Sequence, residues 1–122
     1  MSDENSSGLN FSVVIPVYNT SDILFDLVER LKNTFEESLQ VRYEIILVDD
    51  ASSNPNTWKT LKQIHENESN VVVIRLMRNF GQQAATVCGL AKSNGDYVFT
   101  MDDDLQHLPE DIPEFIKEKN HD

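Results

Sequence analysis

The chain has 122 residues, enough for one domain that buries roughly two thirds of the surface its unfolded form exposes. It carries 21 Asp and Glu against 10 Lys and Arg, a net charge of -11. That balance argues against a nucleic-acid surface and equally disfavours this portion lying flat on anionic lipid; Cys88 is the only cysteine, so there is no internal disulfide framework and a reducing compartment is natural.

Residues 1–10, MSDENSSGLN, are polar and acidic. They lack the basic and apolar regions of a signal peptide and read as a flexible lead-in to one unit over 11–122. No apolar run approaches the ~18 residues needed to cross a bilayer. FSVVIPV (11–17) is an apolar, β-branched strand signal closed by Pro16 and the turn-prone YNTSD. From Ser21 the period changes: Ile23, Leu24, Leu27, Val28, Leu31 and Phe35 share a helical face, with Thr20 or Ser21 as the expected N-cap. YEIILVDD (43–50) is a second strand, followed by the loop ASSNPN and a helix carrying Trp58, Leu61 and Ile64. NVVVIRLMRN (70–79) is a third strand, and the small-residue helix after it is expected to stop at Asn94-Gly95. DYVFTMD (96–102) is a fourth strand, and PEDIPEFIKEK opens a further helix. Near-continuous apolar strands alternating with helices predict an α/β fold, a mostly parallel sheet with helices on both faces.

In such a sheet ligands bind beyond the carboxyl ends of the strands. The strands here end at Pro16-Val17-Tyr18-Asn19, Asp49-Asp50, Arg78-Asn79-Phe80-Gly81 and Asp102-Asp103-Asp104. Acids and asparagines are common in such loops as caps and turn formers, but four clusters converging on one edge make a site. If the fourth strand stays extended past Met101, Asp102, Asp104 and Gln106 point to one side, and Asp103 points away as a loop-capping group. Two carboxylates and an amide carbonyl are hard oxygen ligands suited to Mg²⁺ or Mn²⁺. No G-x-G-x-x-G or Walker loop is present, Gly81 reads as a turn glycine, and His65, His107 and His121 lack zinc-ligand spacing.

Together SVVIPVYN, YEIILVDDASS, RNFGQQAATVCGL and GDYVFTMDDDLQHLPEDIP resemble the family 2 glycosyltransferases of the GT-A fold, and most closely their polyprenyl-phosphate branch. The resemblance implies an enzyme that moves a sugar from a nucleotide-sugar donor to an acceptor, with Mg²⁺ or Mn²⁺ as cofactor. It implies nucleotide contacts at Pro16, Tyr18, Val48, Asp50, Arg78, Asp102 and Asp103, metal ligation at Asp102, Asp104 and Gln106, and a catalytic role for Asp102 and Asp104. The acceptor would be a polyprenyl phosphate or, alternatively, a saccharide hydroxyl of a cell-surface polysaccharide. Thr20 stands where dolichol-phosphate mannose synthases usually carry an acid, which tilts the donor from GDP-mannose toward a UDP-sugar. By the same resemblance the chain is the donor-binding part of a domain truncated at its C-terminus. The expected location is the cytoplasm or the cytoplasmic face of a membrane, reached only through parts absent here, and homo-oligomerisation is possible at an uncovered sheet edge. IILVDD also resembles the first strand of Mg²⁺-binding signalling receivers, a reading that a complete βα unit ahead of it opposes. A structural α/β piece that binds nothing is the third alternative.

Overall fold

The computed structural model describes residues 10–104 and 109–113. β1 (Asn10–Val17) is the expected apolar run, buried at all but its first residue. Its parallel partner β2 (Arg42–Asp49) is buried from Ile45 onward. β3 (Val71–Arg75) and β4 (Tyr97–Thr100) flank them in the order β3-β2-β1-β4, every pairing parallel. Both outer strands are shorter than the runs 70–79 and 96–102, because pairing stops at Asp49↔Arg75 and at Val14↔Thr100.

α1 (Ile23–Asn33) continues into a π-helical turn, Thr34–Leu39, closed by Gln40 at φ 56°. α2 (Pro55–Asn67) starts with Pro55 in its first turn and the Asn54 side chain accepting from the Asn56 amide at 2.9 Å. α3 (Gln82–Lys92) begins after Gly81. The two-residue period of the strands sorts side chains between two layers. Phe11, Val13, Ile15 and Val17 join Ile45 and Leu47 against Leu24, Leu27, Leu31, Leu61 and Ile64 of α1 and α2. Val14, Ile46 and Val48 face the other way and pack on Ala85 of α3. Helices therefore cover both faces, as expected.

Two local expectations are corrected. The N-cap position of α1 is Asp22, in helical conformation and without a side-chain cap, and the Thr20 hydroxyl is engaged elsewhere. α3 stops at Lys92 and Ser93, ahead of Asn94-Gly95. Gly95 has a different task, since its amide donates to Ser12 Oγ and a Cβ there would lie 2.8 Å from the Phe11 carbonyl carbon. In the helix begun at Pro109, a 3₁₀ turn over Pro109–Asp111 is described, and residues 114–122 lie outside the described residues. Among the described residues no helix is long and apolar enough to cross a membrane.

The connectivity creates a switch point. The chain lays down β1, β2 and β3 in one direction, and α3 then returns across the opposite face to set β4 on the free side of β1. Crevices at such reversals, beyond the carboxyl ends of the strands, are where open α/β sheets hold ligands. α3 sits close enough to the sheet that a Cβ on Gly89 would lie 2.3 Å from Val14 Cγ1 and 3.1 Å from Val48 Cγ2. Both neighbours are fully buried, branched side chains without room to retreat. Gly89→Ala is therefore expected to destabilise the fold by about 1–3 kcal/mol, the usual range for overpacking, read as a lower denaturant midpoint at unchanged slope.

Candidate functional site

At the switch point β1 and β4 part. Their ladder closes with the Met101 amide donating to the Val14 carbonyl at 3.1 Å. The next residue of β1 directed to that side is Pro16, which has no N–H to offer. β4 ends at Thr100, and the chain turns at Asp103-Asp104. This corrects the expectation that the fourth strand stays extended past Met101, so strand alternation does not govern where the acids point. The opening is a cleft of about 400 Å³ lined by Pro16, Val17, Tyr18, Asp50, Asn79, Gly81, Gln82 and Asp102 to Asp104.

Carboxylates hold the loops around it. Asp49, fully buried, accepts at Oδ1 from the Ser52 amide (2.9 Å) and hydroxyl (2.6 Å), and its Oδ2 has no partner among the described residues. Ser52 Oγ in turn accepts from the Asn19 amide at 2.8 Å, and Asn19 Oδ1 accepts from the Asn54 amide at 3.0 Å. Asn19 stands at φ 60° and Ala51 at φ 55°, a left-handed conformation that side chains other than glycine adopt only where surrounding bonds fix it. Asp50 accepts from the amides of Phe80 (2.8 Å) and Gly81 (2.9 Å), one at each oxygen. Gly81 has φ 103°, a conformation that requires glycine although open space surrounds it, in keeping with its reading as a turn residue. Asp103 accepts at Oδ2 from Thr20 Oγ1 (2.7 Å) and the Tyr18 amide (3.3 Å), a loop-bracing contact. Asp102 Oδ1 accepts from Gln82 Nε2 at 2.9 Å.

Of the residues singled out from the sequence, Pro16, Tyr18, Asp50, Asp102, Asp103 and Asp104 meet at this cleft. Val48 does not reach it: being of even parity on β2, its side chain lies fully buried against α3. Arg78 lies outside the cleft lining, its guanidinium 4.8 Å from the centre of the Phe80 ring. Gln106 and His107 fall outside the described residues. Among the described residues no group of three His, Cys, Asp or Glu is arranged to hold a metal. Asn79, placed from the sequence in the edge cluster 78–81 without a role, lines the cleft, and Gln82 was missed; nothing in the sequence separates Gln82 from Gln83, and only the first turn of α3 sets one of them toward Asp102.

The segment after the acid triplet is anchored too. Arg30 of α1 donates Nε to Glu110 Oε2 at 2.8 Å and Nη2 to Oε1 at 2.6 Å, while Pro109 and Ile112 are buried beside it. A second cavity, about 490 Å³, lies at the amino edge of the sheet. Its carboxylates are already engaged, Glu44 by Ser12 Oγ and the Asn94 amide and Glu36 by the Tyr43 hydroxyl. Of the two, only the carboxyl-edge cleft lies at the switch point beyond the strand ends, and it is the candidate site.

Comparison with known proteins identifies the family and the fold. The family model "Glycosyl transferase family 2" matches residues 12–122. The chain is 43% identical over 105 residues to an undecaprenyl-phosphate 4-deoxy-4-formamido-L-arabinose transferase of Salmonella choleraesuis, covering 86% of this chain and 32% of that protein. It is 41% identical over 106 residues to the transferase of the same name from Photorhabdus laumondii, covering 87% and 32%. The chain thus spans about a third of the length of these curated relatives. Among solved structures, a Pyrobaculum calidifontis mannosyltransferase in complex with GDP-Man and Mn²⁺ shares the fold at TM-score 0.71 and 18% identity, over 87% of this chain and 30% of that one. S. aureus TarS in complex with UDP matches at TM-score 0.69 and 25% identity, over 92% and 33%. The family match sets aside the signalling-receiver alternative.

Two outcomes follow from the loop geometry. Asp50→Asn turns an NH₂ group toward one of two amide donors, and is expected to cost about 1–3 kcal/mol of unfolding free energy without any ligand. The guanidinium of Arg30 holds the Glu110 carboxyl below its ordinary value of 4.5. A carboxylate with a depressed folded-state value contributes stability above its unfolded value and loses it as pH falls through the folded one. The tie of α1 to Pro109–Asp111 is therefore expected to be intact at neutral pH and to loosen below pH 4.5, and carboxyl-carbon NMR should find Glu110 returned to its ordinary value in Arg30→Ala.

Proposed function

The chain belongs to glycosyl transferase family 2, and we propose that residues 11–122 form the donor-binding part of an enzyme that transfers a sugar from a nucleotide diphosphate sugar to a polyprenyl phosphate. The observation that carries this reading is the charge of the cleft. Asp50, Asp102, Asp103 and Asp104 line it, and no Lys or Arg is among the described residues that do. A diphosphate entering four carboxylates is repelled unless a hard cation comes with it.

The oxygen donors of this loop are of the kind Mg²⁺ or Mn²⁺ takes: Asp102 and Asp104 would hold the ion, with Gln106 as the third ligand, and it would neutralise the charge that builds on the departing diphosphate. The chain's own residues do the positioning. Gln82 orients the Asp102 carboxylate through Oδ1, and Asp103 fixes the turn through Thr20 and Tyr18. Pro16 and Tyr18 wall the space for the base. Asp50, whose oxygens each keep a lone pair beyond their loop amide, accepts a base N–H. Arg78 braces the loop before α3.

The acceptor class is supported by the curated relatives, both named for undecaprenyl-phosphate. A phosphate monoester, with a second pKa of about 6, is already largely ionised and needs no protein base to attack. A UDP-sugar donor is favoured: TarS was solved with UDP, and Thr20 donates to Asp103 where an acid would repel it. The enzyme then works at the cytoplasmic face of a membrane, where its lipid acceptor is.

Calorimetric titration tests this. UDP is expected to bind only with Mn²⁺ present, more tightly than GDP, and Asp104→Asn is expected to weaken that binding at least about tenfold. Metal-independent binding, or an unchanged affinity in a folded Asp104→Asn protein, would overturn the assignment.

A further inference from the structure

Three residues other than glycine stand at positive φ among those described: Asn19 at 60°, Gln40 at 56° and Ala51 at 55°. Gln40 closes the π-helical turn, an ordinary place for a left-handed residue. Asn19 and Ala51 end no helix. They lie on either side of one contact, the Asn19 amide donating to Ser52 Oγ at 2.8 Å. Strained backbone persists only where its surroundings hold it, and it gathers at binding sites.

Asn19 is exposed and does not line the cleft. Its bonds run to the loop between β2 and α2. The amide reaches Ser52, whose hydroxyl donates on to the buried Asp49 carboxylate at 2.6 Å. Its Oδ1 accepts from the Asn54 amide at 3.0 Å and from Ser53 Oγ at 3.3 Å. The residues on either side of it in the chain are tied the other way, since the Tyr18 amide and the Thr20 hydroxyl both donate to Asp103, after β4. β2 and β4 flank β1, so the loop is gripped from both sides and Tyr18 sits between the grips. Tyr18 lines the cleft and is 47% exposed. A ring standing half in solvent is placed by its backbone more than by its packing.

We propose that Asn19 is a positioning residue for the nucleotide. By holding its left-handed turn against Ser52, Ser53 and Asn54, it presents the Tyr18 ring to a base entering the cleft. Asparagine suits the task twice over: it tolerates positive φ, and its side chain carries the acceptor that the neighbouring loop uses. The proposal rests on the reading of the cleft as a nucleotide-sugar site and adds to it a residue outside the cleft lining.

Titration of UDP in the presence of Mn²⁺, with urea midpoints measured on the same proteins, separates positioning from stability. Asn19→Gly keeps the left-handed conformation and loses the acceptor. Its affinity for UDP, measured where the protein is fully folded, is expected to fall about three- to tenfold, the span of one hydrogen bond's net contribution. Asn19→Asp keeps both properties, and its carboxylate faces the N-terminus of α2, so it is expected to restore most of the lost affinity. Ser52→Ala cuts the link from the other loop and is expected to weaken UDP binding in the same direction. A residue that served stability alone would move the urea midpoint and leave the affinity of the folded protein unchanged. That outcome in Asn19→Gly, or equal weakening in Asn19→Gly and Asn19→Asp, overturns the proposal and leaves the site reading standing. Should Asn19→Gly fail to fold, unchanged affinity in Ser52→Ala overturns it instead. No binding of UDP by the unaltered chain overturns the site reading and this proposal with it.

Discussion

Everything at the carboxyl edge depends on one missing hydrogen-bond donor. β1 is the central strand of the sheet, paired on both sides, and a proline in such a strand removes a ladder bond. Pro16 sits where β1 would next receive β4, so the two strands hold together through Val14 and Met101 and then diverge. On the other side of β1 the pairing with β2 continues to Val17↔Asp49. The sheet therefore opens at its switch point and nowhere else along β1. Without that opening, Asp102 to Asp104 would continue as an edge strand rather than turn across the cleft mouth.

The crowding of the acids is resolved by division of labour. Asp49, Asp50 and Asp103 each hold a loop through backbone amides or hydroxyls, and Asp102 is oriented by Gln82. Donors directed at a carboxylate replace the hydrogen bonds it would make to solvent. Such acids act as scaffold, and a dense acidic sequence becomes compatible with an ordered cleft.

Much of this was legible in the residues. The unbroken apolar runs FSVVIPV and YEIILV gave the two central strands, and the helical period of Leu24, Leu27, Val28 and Leu31 gave the face of α1 that is buried. The convergence of four polar clusters on one edge gave the location of the cleft. What the sequence withheld depends on contacts between distant positions. Where the chain after β4 leaves the sheet depends on Pro16 of a neighbouring strand, the Asp102 contact needs Gln82, and the Asp103 contact needs Thr20, 83 residues earlier. A cap expected at Thr20 fails for the same reason, because the hydroxyl finds a better acceptor in tertiary structure than in its own helix. Val48 was placed by resemblance, whereas strand parity sets it against α3.

The bonds running from Asp49 through Ser52 to Asn19, and from the Tyr18–Thr20 loop to Asp103, join three loops that are far apart in sequence. Residues in one hydrogen-bonded network do not contribute independently, and coupling within such a network commonly amounts to about 0.5–3 kcal/mol. Change at position 19, 20, 52 or 103 is consequently conditional on what occupies the others. The loops that support the cleft therefore respond to substitution as one unit, even though they are written in three separate stretches of the chain.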